Sequence, residues 1–127
     1  VSIAAGLLAA AVSYAANRFL FKISGNLVLA APAPLVEETT KNVFAILLGA
    51  GIFHSHLVFG LTEAALEWRI RQNGAKAAFG AVTTHAFFGL TATAVYSETG
   101  VPLLAILASF MVHWAVNTMV LLRTVKR

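Results

Sequence analysis

Leu35 to Trp68 reads LVEETTKNVFAILLGAGIFHSHLVFGLTEAALEW, and this stretch decides the fold. A run of membrane-like apolarity carries Glu37, Glu38 and Lys41 near its start, His54 and His56 in its middle, and Glu63 and Glu67 near its end. Ionisable side chains are costly in hydrocarbon, so a segment that keeps them turns them toward a bundle interior or a water-filled cavity. Four of the five acidic residues of the chain lie in this window, and the fifth, Glu98, sits in a short turn. A soluble surface carries far more carboxylates than that.

Within the window, a helix is expected from near Leu35 to beyond Phe53, with Glu37 and Glu38 in its first turn complementing the positive end of the helix dipole. Glu37 and Lys41 stand four apart and are expected to pair on one face. Glu38 then points about 100° away and is left for another task. Gly49 and Gly51 mark either a kink in one long tilted helix or the junction of two shorter ones. His56, Gly60, Glu63 and Glu67 follow spacings of four, three and four and share one stripe, whereas His54 lies on the opposite face as a hydrogen-bonded or interface histidine.

Composition supports the same solvent for the rest of the chain. Hydrophobic residues make up 59%, charged residues 11%, and mean hydropathy is +0.82, values outside those of an ordinary soluble domain. The net charge of +4 comes from basic residues at segment ends, which reads as membrane-flank anchoring and gives no nucleic-acid footprint. The absence of cysteine excludes disulfide bracing, thiol catalysis and Cys-ligated metal or iron–sulfur sites. No basic residue precedes the first apolar run, so a signal peptide is not expected. The start at Val1 reads as a processed or partial chain. At about 20 residues per crossing, 127 residues hold about four or five spans.

The spans follow in order. Ile3 to Phe21 is rich in small residues that permit close helix approach, and Asn17, Arg18 and Lys22 close it as interfacial anchors. Gly25-Asn26 reads as a turn and Leu27 to Ala31 as a re-entrant or interfacial piece. Pro32 and Pro34 disfavour a regular helix through that point. After the Leu35–Trp68 region come a Trp68–Arg71 girdle and a Gln72–Gly74 turn. Lys76 to Tyr96 forms a further span with His85 and Gly89 near mid-membrane. The last span opens at Val101 or Pro102 and reaches Leu122, with Ser109, His113 and Asn117 on one face. The expected fold class is all-α: a polytopic transmembrane helical bundle of about four spans, with room for a short re-entrant segment. Residues 1–127 form a single helical membrane domain with no internal repeat or low-complexity linker. Six basic residues in the 69–76 loop and the C-terminal tail, against three on the other side, favour a cytoplasmic tail in the plasma membrane of a prokaryote.

Carboxylates and neutral imidazoles are the natural ligands of Zn²⁺. A bound cation acidifies its water, and a neighbouring free glutamate takes the proton during attack on a carbonyl. His85 and His113 come from different helices and are expected to meet, at roughly 3–6 Å between ring nitrogens, with a glutamate beside them.

At these residues the chain resembles a family. Glu37 to Lys41, EETTK, resembles the opening Glu-Glu-x-x-Lys motif of the PrsW-type intramembrane proteases, within the wider CAAX-protease and bacteriocin-processing group. Glu63 in FGLTEAALEW resembles the second motif, His85 in HAFFGLTA the third, and His113 to Asn117, HWAVN, the last. The resemblance covers residues 35–122, the part similar to the protease core. It departs at Ala64, where the family usually has Asn, and at Glu67, where it has an aromatic residue; family members also usually have more spans. The resemblance implies an intramembrane endopeptidase acting on a membrane-anchored protein substrate, with lipid around it and room for additional membrane subunits. Glu38 or Glu37 would handle the attacking water, Glu38 being favoured because Lys41 is assigned to Glu37. His85, His113 and Glu63 would be ligands of a divalent metal ion, Zn²⁺ first, and Asn117 an oxyanion donor or ring-fixing partner. Two other classes compete: a haem-binding membrane subunit using His56, His85 and His113, with Gly60 and Gly89 making room for the macrocycle, and a small structural subunit of a larger assembly.

Overall fold

The computed structural model describes residues 1–25 and 31–125. These residues form five helices: α1 (Ser2–Ser24), α2 (Pro32–Leu47), α3 (Ile52–Ile70), α4 (Gly74–Thr99) and α5 (Pro102–Val125). Most of the expected Gly25–Ala31 turn and re-entrant piece lies outside the described residues, as do Lys126 and Arg127.

Three helices are long and apolar enough to cross a membrane, over Ser2–Ile23, Gly74–Thr99 and Pro102–Arg123. The fourth span expected from the sequence falls on the charged window, which is two helices. α2 ends at Leu47, Gly49 takes a positive φ of 62°, and Gly49 and Ala50 donate back to Ile46 and Ala45. That left-handed conformation is one a side chain resists, so the chain turns here instead of kinking. At the other end of α2, the sequence predicts that Pro32 and Pro34 oppose a helix. The helix instead starts at Pro32, because a first-turn residue needs no N–H for the helical ladder. The ladder opens with Leu35 donating to Ala31 at 3.0 Å.

α3 packs on α4, α1 on α2 and α3, and α5 on α4 and α2. The polarity is inverted relative to a soluble domain. Outward faces carry Phe19, Trp68, Phe79 and Phe87, all exposed, while the buried apolar residues are mostly alanines and the buried polar set includes Glu38, Lys41, Asn42, His56, His85 and His113. α3 and α4 approach each other closely at two glycines. A β-carbon placed on Gly60 would stand 2.7 Å from that of His85, and one on Gly89 would stand 2.7 Å from that of His56. Each glycine therefore receives the other helix's histidine.

Candidate functional site

The site is built on the inner face of α2, where Glu38, Lys41 and Asn42 fall together at helical spacing and are fully buried. Lys41 pairs with Glu38, Nζ donating to Oε1 at 2.5 Å. This corrects the expected Glu37–Lys41 pair. Spacings of three and four are both reachable on a helix, and tertiary packing decides between them: Glu38 shares the interior with Lys41, whereas Glu37 faces α1, where its Oε1 accepts from Asn17 Nδ2 at 3.0 Å.

Glu38 is the hub. Its Oε1 also accepts from His113 Nδ1 at 2.9 Å, and its Oε2 meets His56 Nε2 at 2.9 Å. His56 Nδ1 lies 3.0 Å from the Ile52 carbonyl oxygen, which can only accept, so Nδ1 donates to it. The remaining His56–Glu38 contact then requires a proton on one partner, since an ionised carboxylate is acceptor-only and a neutral ring has a single N–H. Hydrogen-bond complementarity thus places one shared proton between Glu38 and His56.

His85 is held from both sides. Lys41 Nζ donates to Nδ1 at 3.0 Å, which fixes the N–H on Nε2, and Nε2 donates to Glu63 Oε2 at 2.5 Å. The Lys41 ammonium lies 4.4 Å above the Phe59 ring and 5.8 Å from that of Phe88, a favourable place for a desolvated cation. The rings of His85 and His113 meet edge to face with centroids 5.6 Å apart, and Phe88 stacks on His113 at 4.4 Å. The two histidines thus come together with Glu63 beside one and Glu38 beside the other.

In front of this network lies a cavity of about 540 Å³ whose lining includes Asn17, Arg18, Glu37, Glu63, His113 and Asn117. Of the six site residues read from the sequence, four line it. His85 stands behind Glu63, and Glu38 is walled off from the opening. Within the cavity lining, His113 Nε2 is 4.0 Å from Glu37 Oε2. With Nδ1 donating to Glu38, the neutral ring presents a lone pair at Nε2.

Comparison with protein-family models, curated proteins and solved structures finds no match. The family resemblance therefore rests on the four motifs in the chain itself.

The ligand set implied for Zn²⁺, His85 with His113 and Glu63, does not fit as arranged. Both nitrogens of His85 are committed, Nδ1 of His113 is committed, and a buried ammonium stands beside them. Among the described residues no three His, Asp or Glu side chains are grouped to hold one ion. The glycines expected to make room for a macrocycle instead admit the β-carbons of His85 and His56.

His56, expected on the Glu63 stripe, has Glu38 as its partner, and Asn17, expected at the interface, bonds Glu37. Against the expectation of no internal repeat, His-x-x-Phe-Gly-Leu-Thr occurs at residues 56–62 and again at 85–91. This short repeat marks the two histidines, their receiving glycines and the two phenylalanines around Lys41.

Proposed function

We propose that this bundle is an intramembrane endopeptidase that hydrolyses a peptide bond in a membrane-anchored protein. The observation that carries the reading is a carboxyl oxygen and a ring nitrogen, Glu37 Oε2 and His113 Nε2, set 4.0 Å apart in a cavity and backed by a buried hydrogen-bonded network. A gap of that size suits one bridging water. A water donating its protons to both acceptors turns its lone pairs toward the cavity.

Glu38 holds His113 in the tautomer that accepts at Nε2, the role a buried carboxylate plays toward the histidine of a catalytic triad. Glu37 takes a proton as the water oxygen bonds to the substrate carbonyl carbon. The amide C–N bond then breaks, and Glu37 returns that proton to the leaving nitrogen. Asn117, lining the same cavity, is assigned the oxyanion. Glu37 is preferred over Glu38 as the base because Lys41 bonds Glu38, while Glu37 lines the cavity. No step is routed through a metal.

In this reading α3 is the fourth crossing, α2 is an interior helix carrying the site, and the chain resides in a prokaryotic plasma membrane with its C-terminus in the cytoplasm.

The test is cleavage of a panel of single-span reporters in vesicles. Glu37→Gln is expected to lower turnover by about 10²-fold or more with the fold intact. Glu38→Gln is expected to lower stability as well as turnover, because it disturbs three buried partners at once. Wild-type cleavage that persists undiminished in Glu37→Gln would sink the assignment, and loss of cleavage on chelation, restored by Zn²⁺, would bring the metal back.

A further inference from the structure

Asn17 has an unfilled valence at the junction of two cavities. Its Nδ2 faces Glu37 and donates to Oε1 at 3.0 Å. Its Oδ1 is thereby turned the other way, and that atom is buried with no hydrogen-bond partner among the described residues. A buried acceptor without a donor costs free energy that a bound N–H would recover.

Behind Asn17 a second cavity, about 550 Å³, runs between α1 and α3. Leu7 and Ala11 form one wall, Phe59, Leu66 and Ile70 the other. Its inner end is formed by Tyr14, Asn17, Glu37 and Glu63, which line the first cavity too. Leu7 and Leu66 are each 49% exposed on the outward faces of their helices, so the cleft opens sideways, toward lipid, and leads to the carboxylates.

We infer that the α1–α3 cleft is the groove in which the peptide substrate lies, and that Asn17 Oδ1 accepts a backbone N–H of the substrate beside the bond to be cut. The inference rests on the endopeptidase reading for what happens to the bound segment, and names its form. An intact helix uses its N–H groups internally and has none to offer. A segment unwound for attack frees them in hydrocarbon, where an unsatisfied N–H is costly, and Asn17 supplies the missing acceptor. Asn17 is thus both a positioning residue for Glu37, through Nδ2, and a substrate-binding residue, through Oδ1.

The experiment uses the full chain in vesicles with a single-span Ala/Leu reporter carrying a central Gly-Ser pair. Benzoylphenylalanine replaces Leu66 in the cleft or, as control, Leu107 on the exposed face of α5, in a Glu37→Gln background so that no turnover is needed. Reporter adducts are expected at position 66 and not at 107. Adducts at 107 alone, equal adducts at both, or only lipid adducts at 66 overturn the groove. Asn17→Leu is then added to the Glu37→Gln background, where residue 37 no longer acts as a base and the adduct yield reads binding alone. The reporter concentration for half-maximal adduct at 66 is expected to rise about tenfold, the effect of one lost hydrogen bond to a buried group. An unchanged value means that Asn17 serves Glu37 alone, and overturns its substrate role. Adducts at 66 with no cleavage by wild type would reject the endopeptidase reading while the groove stands; cleavage without such adducts would do the reverse.

Discussion

The same seven-residue pattern stands in α3 and in α4, yet the two copies do different chemistry. In both, the glycine admits the other helix's histidine and the phenylalanine flanks Lys41. His56, however, meets Glu38 and a backbone carbonyl, while His85 meets Lys41 and Glu63. Seven residues after the histidine, α3 has Glu63 on the cavity and α4 has Ala92 in the apolar core with Ala45, Ile52 and Ala105. The pattern therefore sets the packing of the pair, and α2, facing both copies with an acid and a base three residues apart, sets what each ring does.

If α2 is the element that differentiates the copies, removing its base should have the largest effect. Lys41→Met leaves Glu38 buried with its cation gone, and a loss of about 3–5 kcal/mol is expected, the usual consequence of breaking a buried pair from one side. Unfolding in detergent measures it, and a change near zero would show that the network does not depend on Lys41. Next come the glycines. Gly60→Ala and Gly89→Ala each force a β-carbon into 2.7 Å contact with the opposite histidine, and each should cost about 1–3 kcal/mol by overpacking. The effects should cross over: Gly60→Ala displaces His85, Gly89→Ala displaces His56, and histidine ring NMR shifts would reveal a reversal. Making the copies alike with Glu63→Ala should cost about 1 kcal/mol, the half-exposed carboxylate contributing little and the buried His85 N–H losing its acceptor. Turnover should nevertheless fall, since His85 loses its acceptor. Smallest of all, Arg71→Ala removes an ion pair with Glu67 at the open end of α3 and should stay within about 0.5 kcal/mol in the same unfolding assay.

The legible parts of the fold were those that length and apolarity alone determine. α1, α4 and α5 lie close to their expected bounds, with Gly100 ending α4 in a left-handed conformation and Pro102 opening α5. Gly49-Ala50-Gly51 fits both a kink and a turn by composition, and only the fold chose. Glu37, Glu63, His113 and Asn117 stood out as polar groups in an apolar chain, and they do share a cavity. The partner of Lys41 was misread because its spacing serves Glu37 and Glu38 equally well, and the choice is made by His56 and His113 arriving from other helices. Asn17 was hidden for a related reason: beside Arg18 at the end of an apolar helix, a polar residue looks like an anchor until α2 is packed against it.

The buried network also bears on how the chain enters the membrane. Beyond Lys41, Glu38 finds its partners on α3 and α5, and Lys41 finds His85 on α4, so when α2 emerges from the ribosome α1 has been made but none of the helices that complete the Glu38–Lys41 network has. A nascent α2 would carry two acids, a base and an asparagine into lipid with most of their partners missing. It is expected to wait at the water interface and move inward once α5 is complete. Chains truncated after residue 50 should leave a cysteine introduced at Thr39 open to a water-soluble maleimide, and chains extended to residue 123 should protect it; equal labelling of the two would mean that α2 inserts unaided.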